Sequence, residues 1–193
     1  MDHRIQSIQG CMKLHLTDKN YRKLITEKMV ILVDTREQKN QPYLDAWDAS
    51  GIRWKRKALK TGDYNFMLEA APELGWYSHD LYFTDELVIE RKNSVDELAG
   101  NFANSSKDNG RILREFDRMV KAERAYLLIE DDSLSSILNH EYRSNLNENS
   151  FLRSILTVQA NNQMVPLFVN REDMPRLIWE ICANVVRSKV EVG

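Results

Sequence analysis

Met29-Val30-Ile31-Leu32-Val33 is an unbroken apolar run that stops abruptly at Asp34-Thr35-Arg36-Glu37. Such a run is typical of a strand buried on both faces of a sheet, with the polar cluster emerging at its carboxyl end. Runs of the same kind occupy residues 87–89, 126–129 and 165–169. Between them lie stretches of helical periodicity. Residues 111–122 carry Ile112, Leu113, Phe116, Met119 and Val120 on one face, and residues 150–160 carry Phe151, Leu152, Ile155 and Leu156. The clearest stripe, over 174–188, is Met174, Leu177, Ile178, Ile181, Cys182, Val185 and Val186. Strands alternating with helices predict an α/β architecture, a central mixed β-sheet flanked by helices. The carboxyl ends of its strands are where a site is to be sought.

The remaining segments fill in this frame. Thr17-Asp18 caps a short helix through residue 28, and a second covers residues 43–49 and stops at Ser50-Gly51. Residues 52–59 alternate, with Arg53, Lys55 and Lys57 on one side and Trp54 on the other, which predicts a half-exposed strand with a cationic face. Thr61-Gly62-Asp63-Tyr64 is a turn into another alternating strand over 64–68. Residues 69–77, with Pro72 and Gly75, read as an excursion, and residues 81–83 resume the strand pattern. After Lys92, Ser94 and Glu97 fit a capping box. Residues 100–110, rich in Asn, Ser and Gly, predict a mobile loop. Residues 165–169 are expected to be the last strand. Residues 1–28 read as an N-terminal extension with a short helix, and residues 29–193 as one domain.

A chain of 193 residues can bury a core without disulfides or structural zinc. Cys11 and Cys182 have no metal-like spacing with any histidine and are expected to be reduced thiols. No apolar run approaches the roughly 18 to 20 residues of a membrane span, and Met1-Asp2-His3-Arg4 does not open a signal peptide. These features predict no membrane partner and a cytoplasmic location, or a nuclear one in a eukaryote. The net charge of −2 argues against coating nucleic acid through bulk charge. A metal-dependent nuclease escapes that objection, because its acidic ligands offset its basic residues.

Residues 86–98 concentrate the chemistry. A β-branched run ends in Glu90-Arg91-Lys92. Side chains on a strand alternate with period two, so Glu90 and Lys92 share a side and set a potential metal ligand beside a cation. Phosphodiester hydrolysis needs a cation to neutralise developing charge, a nucleophilic water and a group to orient that water. Mg²⁺ takes oxygen ligands, usually one or two carboxylates with several waters retained. Asp63 and Glu90 supply such carboxylates, and Lys92 is placed to orient or deprotonate the water. Basic residues offer phosphate contacts in two rows: Lys55, Lys57 and Lys60 on the cationic strand, and Arg111, Arg114, Arg118 and Lys121 at helical spacing. Trp54 and Tyr64 are either core residues or platforms for unpaired bases.

Val33-Asp34-Thr35-Arg36-Glu37, then Gly62-Asp63-Tyr64, then Val88-Ile89-Glu90-Arg91-Lys92 with Asp96 four residues on, resembles the nuclease domain of the XPF-type structure-specific endonuclease family, a restriction-endonuclease-like fold. The resemblance continues through Asn109-Gly110-Arg111 and Leu127-Leu128-Ile129-Glu130. It implies that residues 29–193 are a nuclease domain with metal held by Asp34, Asp63, Glu90 and the Arg91 carbonyl. It also implies Lys92 as the catalytic lysine, Glu37 and Asp96 as support for the acidic cluster, and Arg36 and Arg91 on phosphate or bracing the carboxylates. The implied reaction is Mg²⁺- or Mn²⁺-dependent cleavage of branched, flapped or partly single-stranded DNA in recombination, repair or replication, by a possible homodimer. Nothing after Val169 has the glycine-centred hairpins that cellular members carry, so the chain looks like a stand-alone version of the sort phages and prophages encode. The rival readings are a catalytically silent DNA-binding scaffold and a general single-strand DNA or RNA nuclease.

Overall fold

The computed structural model describes residues 13–103, 110–130 and 133–193. Its centre is a seven-stranded mixed sheet. β2 (Met29–Val33) is buried along its whole length, as an unbroken apolar run requires. It pairs in parallel with β3 (Trp54–Arg56) on one edge and antiparallel with β4 (Tyr64–Leu68) on the other. β6 (Leu87–Lys92) meets β4 at Tyr64↔Ile89, and the rest of that edge of β4 is taken by β5 (Leu81–Tyr82). β6, β7 (Arg124–Glu130) and β8 (Met164–Val169) then run parallel.

Alternation along these strands sorts their side chains onto two faces. On the first face Ile31, Val33, Tyr64, Phe66, Leu68, Leu87 and Ile89 pack against α2 (Gln41–Ala49) and α7 (Met174–Lys189) through Tyr43, Leu44, Trp47, Ile178 and Val185. The Trp47 indole donates to the Pro175 carbonyl at 2.9 Å and ties those two helices together. On the second face Val88, Leu127 and Ile129 lie under α3 (Val95–Ala103), α4 (Arg111–Met119), α5 (Ser135–Leu138) and α6 (Glu148–Asn162). Over β2 and β4 the second face carries only a small cluster, Val30, Leu32, Leu59 and Met67, to which no described helix contributes.

The structure departs from the sequence reading in four places. A strand follows residue 169: α7 runs into β9 (Val190–Val192), which pairs in parallel with β1 (Leu14–Leu16). Three-residue strands are too short for a periodicity signal. β1 leads into α1 (Asp18–Lys23), capped by Thr17, and a π-helical turn over Leu24–Lys28, and Leu16, Leu24 and Ile25 join the core of α7. The strand over 52–59 is reduced to β3, whose residues are half-buried or exposed. β4 has no wet face: Asn65 is buried, its amide donating to the Leu87 carbonyl while its Oδ1 accepts from the Phe66 N–H at 2.6 Å. Finally, α3 extends through Ala103 because Leu98, Ala99 and Phe102 continue an apolar stripe. Of the loop expected over 100–110, residues 104–109 lie outside the described residues.

Candidate active site

Three hydrogen bonds donated by backbone N–H groups stitch the strand ends together, two to carbonyls and one to a carboxylate. The Asp34 N–H donates to the Asp63 carbonyl at 2.8 Å, and the Asp63 N–H donates to the Ile89 carbonyl at 2.8 Å. The Asp63 carboxylate then accepts the Arg91 N–H at 2.8 Å. Gly62 makes this approach possible. Its φ is +80°, and a Cβ there would stand 2.7 Å from Val88 Cγ1 and 2.9 Å from the Ile89 carbonyl oxygen, so any side chain would push Asp63 away from β6.

Glu90 and Lys92 project from β6 onto the second face, as period two requires. Both are buried, and Lys92 Nζ lies 2.7 Å from Glu90 Oε1. A third acid reaches them from α4: Glu115 Oε1 is 3.4 Å from Lys92 Nζ. In an extended strand the N–H and C=O of one residue point to the same side. The Arg91 carbonyl therefore faces the gap into which Asp63 projects.

Burial makes this cluster electrostatically tense. It pushes Asp63 up to about 6, against the help of the Arg91 N–H and with Glu37 and Glu115 adding repulsion. Glu90 is driven well above the carboxylate range by burial, by Asp63 and by its contact with Glu115. Burial also works against the Lys92 ammonium, but Glu90, Glu115 and Asp63 outweigh it and hold its pKa above the usual value. Three acids thus share one lysine.

That excess of negative charge suits a hard divalent cation. Among the described residues no three His, Cys, Asp or Glu side chains are gathered into a preformed metal centre. The donors that fit are the Asp63 and Glu90 carboxylates and the Arg91 carbonyl, a set to which Mg²⁺ adds retained waters. A prediction follows for the metal-free protein. Between 3.8 and about 6 folded Asp63 holds a proton that the unfolded chain lacks. Stability therefore falls as pH rises through that window and stays low above it. Asp63→Asn is expected to weaken the dependence and raise stability near pH 7, by on the order of 3 kcal/mol at most. Urea titrations of both proteins with a chelator at two pH values check this, and parallel dependences would contradict it.

Other expected site residues are placed differently. Asp34 is buried and spent: its Oδ1 accepts the Arg36 N–H at 2.8 Å and Nε at 2.6 Å, and its Oδ2 accepts Arg36 Nη2 at 3.2 Å and the Leu59 N–H at 2.7 Å. Burial opposes its charge, but Arg36 and Leu59 prevail and lower its pKa. Asp34 therefore organises the turn, its two oxygens accepting four hydrogen bonds in this metal-free arrangement. Arg91 faces the first side of the sheet with its side chain 2% exposed. It binds Glu130 at 2.6 Å, Asn93 at 3.1 Å, the Lys39 carbonyl at 3.2 Å and, at 3.4 Å each, Glu37 and the Tyr43 hydroxyl, which holds the guanidinium inside the first face and away from the acidic cluster. Arg91 is a brace, and Glu37 sits on it. Asp96 is turned to Arg143, 2.5 Å from its Nη2, and does not join the acidic cluster.

Among the basic residues, Lys55, Lys57, Lys60, Arg114 and Arg118 are exposed, and Arg36 grips Asp34 with its side chain 70% exposed. Arg111 opens α4, its side chain lying outside the described residues. Trp54 is half-buried, donates to Asp48 and packs on the core, whereas Tyr64 is fully buried and offers no ring to a base. Two residues were missed. Glu130 anchors Arg91, Arg171 and the Tyr43 hydroxyl, and its position at the carboxyl end of an apolar run was the available signal. Glu115 gave none, lying among the charges of an amphipathic helix. A cavity of about 990 Å³ is lined by Tyr43, Asn93, Glu130 and Arg171 among others, partners of Arg91 rather than the acids of the cluster.

The ERCC4 domain family model matches residues 33–173, from the end of β2 to the start of α7. XPF from Aeropyrum pernix has a similar fold, with a TM-score of 0.56 at 19% identity over 82% of this chain and 65% of that one. A second structure of XPF from Aeropyrum pernix, in complex with DNA, gives a TM-score of 0.55 at 20% identity over the same shares, 82% and 65%. This chain thus spans just under two thirds of the length of the structures it matches. No curated protein is significantly similar in sequence. The family match takes in Asp34, Asp63, the Glu90-Arg91-Lys92 strand end, Glu115 and Glu130, and the chain belongs to the ERCC4 domain family.

Proposed function

We propose that this protein is a metal-dependent DNA endonuclease acting on branched, flapped or partly single-stranded DNA in recombination, repair or replication. The observation that carries the reading is the convergence of Asp63, Glu90 and Lys92 where β4 and β6 part. Membership of the ERCC4 domain family and the fold shared with a protein solved on DNA support it.

Asp63, Glu90 and the Arg91 carbonyl would hold Mg²⁺ or Mn²⁺, which neutralises charge on the phosphate and makes a bound water nucleophilic. Lys92 Nζ, released from Glu90, donates to the attacking water or to a non-bridging phosphate oxygen. Glu115 remains beside Lys92 and keeps its ammonium in place. The Arg91 guanidinium holds the strand end rigid, and its backbone N–H fixes Asp63. Arg36, Arg111, Arg114, Arg118, Lys55, Lys57 and Lys60 meet the phosphates on either side. A second copy of the chain as partner and a cytoplasmic or nuclear location belong to the same proposal.

The test is cleavage of labelled fork, flap, four-way junction, duplex, single-stranded DNA and RNA with Mg²⁺ or Mn²⁺, beside Asp63→Asn. Metal-dependent cutting of the branched substrates, lost in the variant, is the expected result. Binding without cleavage would leave only the scaffold reading. Equal cutting of all substrates would defeat structure specificity while sparing the nuclease.

A further inference from the structure

No described helix contributes to the small apolar cluster that β2 and β4 bury on their second face, Val30, Leu32, Met67 and Leu59. Register shows what lies above it. Lys55 pairs with Leu32, and Tyr82 pairs with Met67. Paired residues share a face, and Lys57, two positions on from Lys55, shares it too. Lys57 Nζ stands 4.8 Å from the centroid of the Tyr82 ring and Lys55 Nζ 5.8 Å. Tyr82 is 36% exposed, and both lysines are exposed.

The two ends of this strip differ. At one, Arg53 is committed to Glu69 through two contacts of 2.7 Å. At the other, Leu59 donates to Asp34, and the same face continues to Asp63, Glu90 and Lys92. An aromatic ring flanked by two ammonium groups therefore lies on the same side of the sheet as the candidate active site.

We propose that Tyr82, Lys55 and Lys57 form a platform for an unpaired stretch of DNA leading into that site, a reading that rests on the nuclease function. A base stacks on the Tyr82 ring, displacing the lysines from its face, and the lysines then meet the flanking phosphates. Duplex DNA has its bases stacked on one another and offers the ring no partner. An acidic peptide would engage the lysines and leave the ring without a role. Phosphates also answer the positive charge of Lys55 and Lys57, which flank the ring.

The experiment is fluorescence anisotropy in excess chelator, with an oligothymidylate, an abasic oligomer of equal length and a blunt duplex. The wild type is expected to prefer the oligothymidylate to the abasic oligomer by on the order of tenfold. Tyr82→Leu, which keeps an apolar cover over Met67, brings that ratio close to one, and Tyr82→Phe preserves it. The double variant Lys55→Ala/Lys57→Ala weakens binding of both oligomers alike and reduces the slope of log affinity against log salt by about 1.4. Each ratio is taken within one preparation, so a partly unfolded fraction cancels. A ratio near one in the wild type, or one unchanged in Tyr82→Leu, overturns the platform. Mg²⁺-dependent cleavage by the wild type judges the nuclease reading separately: cleavage with no base-dependent binding removes the platform alone, and base-dependent binding without cleavage removes the nuclease alone.

Discussion

Lys92→Met is expected to lower the rate of metal-dependent cleavage by about 10²- to 10⁴-fold while leaving the affinity for Mn²⁺ undiminished. The ammonium now lies 2.7 Å from Glu90 and 3.4 Å from Glu115. It therefore competes with a divalent cation for the Glu90 carboxylate. Methionine fills nearly the same volume and removes only the charge, so the acids are left more repulsive to one another and more receptive to a cation. The loss then falls on the step that needs a proton donor beside the water or phosphate. Single-turnover cleavage and calorimetric Mn²⁺ titration on the same preparations separate the two effects. If cleavage and Mn²⁺ affinity fell together, Lys92 would be maintaining the site's shape, and its chemical role would lapse.

The largest loss of stability is expected from Arg91→Met, about 3 to 5 kcal/mol, the cost of leaving a buried ionic partner behind. Its guanidinium holds five groups from four separate parts of the chain: Glu37 and the Lys39 carbonyl after β2, the Tyr43 hydroxyl on α2, Asn93 after β6 and Glu130 at the end of β7. Arg171, 3.1 Å from Glu130, stays as a partial partner and pulls the figure toward the lower bound. The double variant Arg91→Met/Glu130→Met should cost less than the sum of the two singles, since it strands no charge. Guanidinium denaturation of the three variants gives these quantities. Cleavage below the melting transition should survive, because the contact to Asp63 comes from the Arg91 backbone. A small stability loss with a marked drop in DNA affinity would make Arg91 a phosphate contact after all.

The same strand shows what a sequence can and cannot reveal. Period two puts Glu90 and Lys92 on one side, and their charged groups lie 2.7 Å apart. Applied once more, it also says that Arg91 points the other way. A phosphate contact beside Lys92 was therefore excluded by the rule already in use, and only the motif's compactness concealed this. Asp34 illustrates a different limit. Its position at a strand end was legible, but its occupation depends on Leu59, 25 residues later, whose N–H meets it after a turn whose path no local signal specifies. Glu115 depends on how α4 is laid across the sheet. Asp96 sits in the first turn of α3, where an acid is favoured by the helix dipole in any case, and Arg143, 47 residues on, claims it. The helices with strong apolar stripes were readable because burial acts on every third or fourth residue. Asn65 was the exception among the strands: a polar residue at an alternating position reads as solvent-facing, yet its two hydrogen bonds let it be buried.

The pairing of β1 with β9 sets Leu14 beside Val190, and this has a bearing on how the molecule is made. Closing a loop of that length is entropically expensive, and contacts so distant in sequence form late. On a ribosome adding roughly 5 to 20 residues per second, the first strand waits on the order of 10 to 35 s before its partner has been synthesised. The sheet around Asp63 and Glu90 is drawn entirely from residues made before that moment. The strands that carry the acidic cluster are thus all made before the two ends of the fold can be fastened together on the opposite face of the sheet.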